Sequence, residues 1–162
     1  MKPFQWRGIV QYLTLNRVDR RGLLYVLPLF SVLFAITAAS LKWQGLSPTI
    51  PSFNPAEASG PMTSILAPAI LVATLLAEEG YFRVLLMKKL APLGTVDWIA
   101  AGVLFGIYHW YALPLPFLIT TPLPFGLLAA FIFKQRQNIY PVILLHALAI
   151  VTGNVAAVMV LS

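Results

Sequence analysis

Apolar residues run along this chain in long blocks rather than in the alternating or one-faced patterns of a water-soluble domain. Stretches at about 22–41, 61–87, 97–113, 117–133 and 139–161 each come near the roughly 20 residues of helix that a bilayer core requires. The expected fold is therefore all-α, a polytopic membrane helical bundle of about five transmembrane helices. The fourth stretch carries Pro122 and Pro124, which predicts a kinked or partly re-entrant segment whose freed backbone groups are covered by neighbours. The fifth has Pro141 in its first turn, where a missing N–H costs little. Ahead of the first span, Trp6, Ile9, Val10 and Leu13 recur at helical spacing among basic residues, as in a helix lying in the membrane interface. Residues 1–21 thus read as an N-terminal interfacial segment, and 22–162 as a membrane-embedded domain. At near 20 residues the first span is signal-anchor-like, longer than the roughly 7 to 15 of a cleaved signal's apolar region. Residues 42–61, with Pro48, Pro51 and Pro55, read as an irregular external loop.

Composition agrees with this pattern. Of 162 residues, 59% are hydrophobic and 10% charged, against about 45–50% and about 25% in an ordinary soluble domain. The length suits one domain. No cysteine is present, which excludes disulfides, a thiol nucleophile and thiolate metal sites. The net charge of +6 changes meaning once its residues are located. With five alternating spans, Lys2, Arg7, Arg17, Arg20, Arg21, Lys88, Lys89, Lys134 and Arg136 fall on one side and only Lys42 on the other. That asymmetry puts the N-terminus in the cytoplasm and the C-terminus outside, in a multi-pass protein of the cell inner membrane. The basic excess marks orientation, so the expected partner is the lipid bilayer and no nucleic acid.

Charge inside the spans needs a different account. Glu78, Glu79 and Arg83 share the second span, where three charged side chains cost roughly 8 to 10 kcal/mol before pairing. Glu79 and Arg83, four apart, can pair on one helix face, which leaves Glu78 without an intrahelical partner. His109 and His146 sit in the third and fifth spans. At about 1.5 Å per residue from the cytoplasmic ends, Glu78, His109 and His146 lie roughly 15, 18 and 10 Å deep, which are compatible heights for one buried site. Gly102 and Gly106 form a G-x-x-x-G ridge near the His109 face, while Ala149, Gly153 and Ala157 follow His146 in a small-residue stripe. Both histidines are expected to face inward against close-packed helices. The plain structural alternative is polar glue between helices.

The chemistry open to this inventory is narrow. There is no G-x-S-x-G nucleophile elbow and, beyond Asp97 at the very start of the third stretch, no aspartate within a span for an aspartyl dyad. Carboxylate plus imidazole remains, the equipment for general-base activation of water. A Glu, His, His set could also hold zinc with an open position for water, although no H-E-x-x-H string supports it. The expectation is a site with no cofactor, with zinc as the alternative.

Glu78-Glu79-Gly80-Tyr81-Phe82-Arg83 is an E-E-x-x-x-R string, and Phe105-Gly106-Ile107-Tyr108-His109 is F-x-x-x-H. Their order and spacing, followed by an intramembrane histidine, resemble the CPBP intramembrane glutamic protease family, also called the CAAX protease and bacteriocin-processing or Abi family. The resemblance spans about residues 70–162. It implies that Glu78 activates a water with help from His109, that Arg83 pairs with Glu79 to hold the acidic pair, and that His146 stabilises the oxyanion. The family's later H-x-x-x-N motif is incomplete here, because Ile150 follows His146 four residues on. Asn154 is the nearest candidate replacement as oxyanion donor, yet it lies roughly 12 Å from His146 along a straight helix. The implied activity is endoproteolysis of a membrane-associated or lipid-modified peptide. Two other classes stay open: a non-catalytic membrane immunity or scaffolding protein, and a proton-coupled carrier, since intramembrane Glu and His also build proton relays.

Overall fold

The computed structural model describes residues 18–44, 61–111, 113 and 115–161, with 61–67 and 151–161 among the stretches described as backbone only. Most of the expected interfacial segment and of the external loop lies outside the described residues. Those described are helical, with no strand among them. The order is α1 (Arg20–Gln44), α2 (Pro61–Glu79), a π-helical segment (Gly80–Leu86), α3 (Met87–Leu90), a 3₁₀ turn (Ala91–Val96), α4 (Asp97–Tyr108), α5 (Leu115–Thr120), α6 (Pro122–Arg136) and α7 (Tyr140–Leu161).

Among the described residues two stretches, Pro68–Tyr108 and Leu115–Arg136, are long and apolar enough to cross a membrane. The first runs 41 residues, but it is not one rod. Gly94 has φ 66° and ψ −118°, a left-handed backbone that folds the chain back between α3 and α4 and that only glycine adopts without strain. Leu24, Leu27, Val32, Ile70, Val72 and Leu76 point outward, while Val26 and Leu33 of α1 turn into the core. Apolar surface of that extent on the outside is what contact with a bilayer or with other protein requires.

α4 packs against α6 through glycine. A Cβ on Gly102 would stand 2.6 Å from Leu127 Cα, and one on Gly126 would stand 2.7 Å from the Gly102 carbonyl oxygen. The expected ridge is therefore a close helix contact, completed from the α6 side by Gly126, which the sequence pattern did not single out. Phe82, Phe105, Phe125, Ala129, Phe133 and Leu145 form the centre of the buried cluster around it.

One expectation for the spans is adjusted. The third stretch was expected to continue to residue 113, but α4 ends at Tyr108. There the His109 N–H bonds Gly106 O at 3.0 Å and the Trp110 N–H bonds Ile107 O at 3.0 Å, tightening the last turn to i→i−3. Twelve residues rise only about 18 Å, short of a bilayer core of about 30 Å. The fourth stretch breaks at Thr121, as its prolines suggest, with Pro122 and Pro124 opening α6. Thr120 Oγ1 donates to Pro116 O at 2.9 Å, one turn back along α5.

At one end of the bundle, ion pairs join segments distant in sequence. Arg136 Nε and Nη2 donate to Asp19 Oδ2 and Oδ1 at 2.6 and 2.8 Å. Lys134 Nζ binds Gly94 O at 2.7 Å and the Asp97 carboxylate. The start of α1, the α3–α4 turn and the end of α6 thus share one face. Asp19 also accepts the Gly22 N–H at 3.0 Å, as an N-cap. The Arg136 guanidinium first, and the Gly22 N–H after it, hold the Asp19 carboxyl down at about 2 from its ordinary 3.8. A folded-state pKa below the unfolded one gives stability that is complete above about pH 4 and is lost as pH falls through about 2. Acid titration of thermal unfolding should show that loss in the parent chain and lack it in Asp19→Asn; identical acid profiles would remove the contact from the account.

Candidate active site

Glu78 and Glu79 close α2, and Arg83 lies in the π-helical segment that follows directly. A π segment inserted in an α-helix changes the phase of the side chains after it and is frequent at functional sites. Here Phe82, Arg83 and Val84 are all buried. Gly80 at the head of the segment was its one sequence signal, since a glycine inside a helix weakens the regular ladder.

Glu79 holds two partners, one on each oxygen. Arg83 Nε donates to Oε2 at 3.0 Å, and His146 Nδ1 lies 2.7 Å from Oε1. Both Glu79 and Arg83 are 0% exposed. The Arg83 guanidinium stands 4.8 Å over the Phe105 ring, and its Nη1 and Nη2 have no hydrogen-bond partner among the described residues. Glu78 points differently. Its side chain keeps 15% exposure, and its Oε2 lies 3.9 Å from His146 Nε2, beyond hydrogen-bond range. His146 therefore has one carboxylate on each ring nitrogen, with Phe125 packed on its ring at 4.7 Å.

His109 joins this group through Phe105 rather than through a carboxylate. The two rings lie 4.5 Å apart, and Phe105 also reaches His146 at 6.1 Å. His109 Nδ1 is 2.9 Å from Phe105 O. A carbonyl only accepts, so Nδ1 carries a proton in this contact and Nε2 is the ring nitrogen left to face other groups. The bond also caps a carbonyl left over at the end of α4. Among the described residues no hydrogen bond or ion pair joins His109 directly to Glu78.

The structure thus brings Glu78, Glu79, Arg83 and His146 together and sets His109 beside them across Phe105. The Glu79–Arg83 pair was legible as an i,i+4 neighbour relation. The Glu79–His146 contact was not, because it joins residues 67 apart in sequence. Asn154 lies on α7, and its side chain lies outside the described part of the structure. Among the described residues no group of three or more His, Asp or Glu side chains is arranged to hold a metal ion.

Residues 60–160, well over half of the chain, match a family model described as type II CAAX prenyl endopeptidase Rce1-like. No curated protein and no solved structure matches the chain.

Proposed function

Since the chain belongs to the Rce1-like family of type II CAAX prenyl endopeptidases, we propose that it is an intramembrane endopeptidase. Its substrate is a membrane-associated or lipid-modified peptide, and the cleaving agent is a water activated by glutamate and histidine without a metal. The observation that carries this reading is the convergence of Glu78, Glu79 and Arg83 from one helical stretch with His146 from another in a largely apolar interior. Pure packing does not need two carboxylates, a guanidinium and an imidazole at one point, given the roughly 2.5 to 3.5 kcal/mol that each charge costs in a membrane. Glu78, the more accessible carboxylate, is the general base. His109 and His146 supply imidazoles, and Glu79 with Arg83 forms the support beneath them.

The bilayer reading extends to about five membrane-embedded segments with the basic face in the cytoplasm, of which the 12-residue α4 is too short to cross by itself. Its support is the 25-residue α1 together with the shared end formed by Asp19, Asp97, Lys134 and Arg136. A second reading, a non-catalytic member of the same family acting in immunity or as a scaffold, is favoured by one observation: Ile150 stands where the family places an asparagine.

The deciding experiment reconstitutes the full chain in liposomes with membrane-anchored peptides in ¹⁸O-labelled water. Endoproteolysis predicts a fragment pair by mass spectrometry with the label in the new C-terminal carboxylate, unaffected by chelator. Intact peptides across a varied substrate panel would favour the scaffold, and loss of cleavage in chelator with rescue by zinc would favour the metal route.

A further inference from the structure

His146 carries an asymmetry that its place in the sequence does not suggest. Its Nδ1 faces Glu79 Oε1 at 2.7 Å, and its Nε2 faces Glu78 Oε2 at 3.9 Å. Arg83 Nε occupies the other oxygen of Glu79, and both members of that pair are fully buried. An arginine stays protonated in proteins, and Arg83 Nε at 3.0 Å from Oε2 makes the two an ion pair with Glu79 as its carboxylate. An ionised carboxylate only accepts hydrogen bonds, so the proton of the short Nδ1–Oε1 contact belongs to the imidazole. A neutral imidazole has one N–H. Its lone pair therefore stands on Nε2, on the Glu78 side.

Building on the peptidase reading above, we propose that Glu79 is a positioning residue that fixes His146 as the Nδ1–H tautomer, so that Nε2 and Glu78 together hold the reacting water. The 3.9 Å gap excludes a direct bond, but an oxygen set off the line between the two atoms reaches both at about 2.8 Å. As that oxygen bonds the scissile carbonyl carbon, its proton passes to Glu78. Relayed to Nε2, the proton makes an imidazolium whose charge lies against Glu79. Nε2–H then donates it to the amide nitrogen as the C–N bond breaks, leaving acid and amine. His146 acts on this account as a proton carrier, where the family resemblance makes it an oxyanion donor.

The test reads the tautomer directly. In the full chain with ¹⁵N-labelled histidine, reconstituted in lipid without substrate at a pH where His146 is neutral, His146 should show a protonated Nδ1 and an unprotonated Nε2; His146→Gln assigns the signals by their loss. Glu79→Gln keeps an oxygen for Arg83 but offers an N–H to Nδ1, which should move the proton to Nε2. Cleavage should then fall about 10⁴-fold in kcat with little change in KM, and Glu79→Asp should restore part of the rate together with the parent tautomer. A parent His146 protonated at Nε2, or a Glu79→Gln tautomer unchanged from the parent, overturns the assignment. If Glu79→Gln does not fold, the parent spectrum still decides. Because these spectra need no substrate, failure to cleave any peptide sinks the peptidase reading while leaving the tautomer result standing.

Discussion

Exchanging Glu78 for glutamine should lower the rate of peptide cleavage by about 10⁴-fold, the upper end of what a positioned general base contributes. The amide keeps the size of the side chain and cannot take a proton from water. Folding should be unaffected, because Glu78 makes no hydrogen bond among the described residues and its nearest ionisable partner in an ion pair is 3.9 Å away. Removing a charge from this interior relieves desolvation instead of adding to it. The loss should therefore appear in kcat, with KM and membrane insertion as in the parent chain. A single-turnover assay with a peptide found cleaved in the liposome experiment measures it. A rate within tenfold of the parent would remove Glu78 from the chemistry and shift the base to a histidine.

The fold was legible where physical signals are local. Helix limits followed from blocks of apolar residues, the break at Thr121 from Pro122 and Pro124, and the α4–α6 contact from Gly102 and Gly106. The end of α4 was not legible, since residues 109–113 are as apolar and aromatic as the helix before them. What stops the helix is the pair of i→i−3 bonds and the His109 side chain on Phe105 O, and these become visible only when the chain turns. The same limit applies to the site. The E-E-x-x-x-R spacing announced Glu79 and Arg83 as partners, because four residues bring two side chains together on any helix. It could not say that the second oxygen of Glu79 belongs to His146, nor that Phe105 would touch Arg83 and both histidines. Those relations come from α7 crossing the α2–π junction, and no single stretch of sequence encodes a crossing.

Arg83 offers the sharpest separation of stability from chemistry. Arg83→Met should destabilise the folded chain by about 3 kcal/mol, the low end for a broken buried pair, because Glu79, at 0% exposure, loses its cationic partner and keeps only the His146 contact. The opposite change, Glu79→Gln, leaves a buried guanidinium compensated by a neutral amide oxygen on Nε in place of the carboxylate and by the Phe105 ring, the latter worth about 2 kcal/mol when desolvated. Removing both charges together, Glu79→Gln with Arg83→Met, should return most of the lost stability, since a buried ion pair roughly breaks even against apolar packing. A double-mutant cycle on unfolding in lipid bicelles measures the coupling, and additive losses in the double variant would contradict the pairing. Cleavage should follow a different rule. It should stay well below the parent in the double variant as in Glu79→Gln alone, because a neutral amide at position 79 cannot balance an imidazolium at His146 as the carboxylate does. Recovered stability without recovered rate would mean that the chain keeps this pair for the imidazole it holds. A return of both would make the pair an accident of packing.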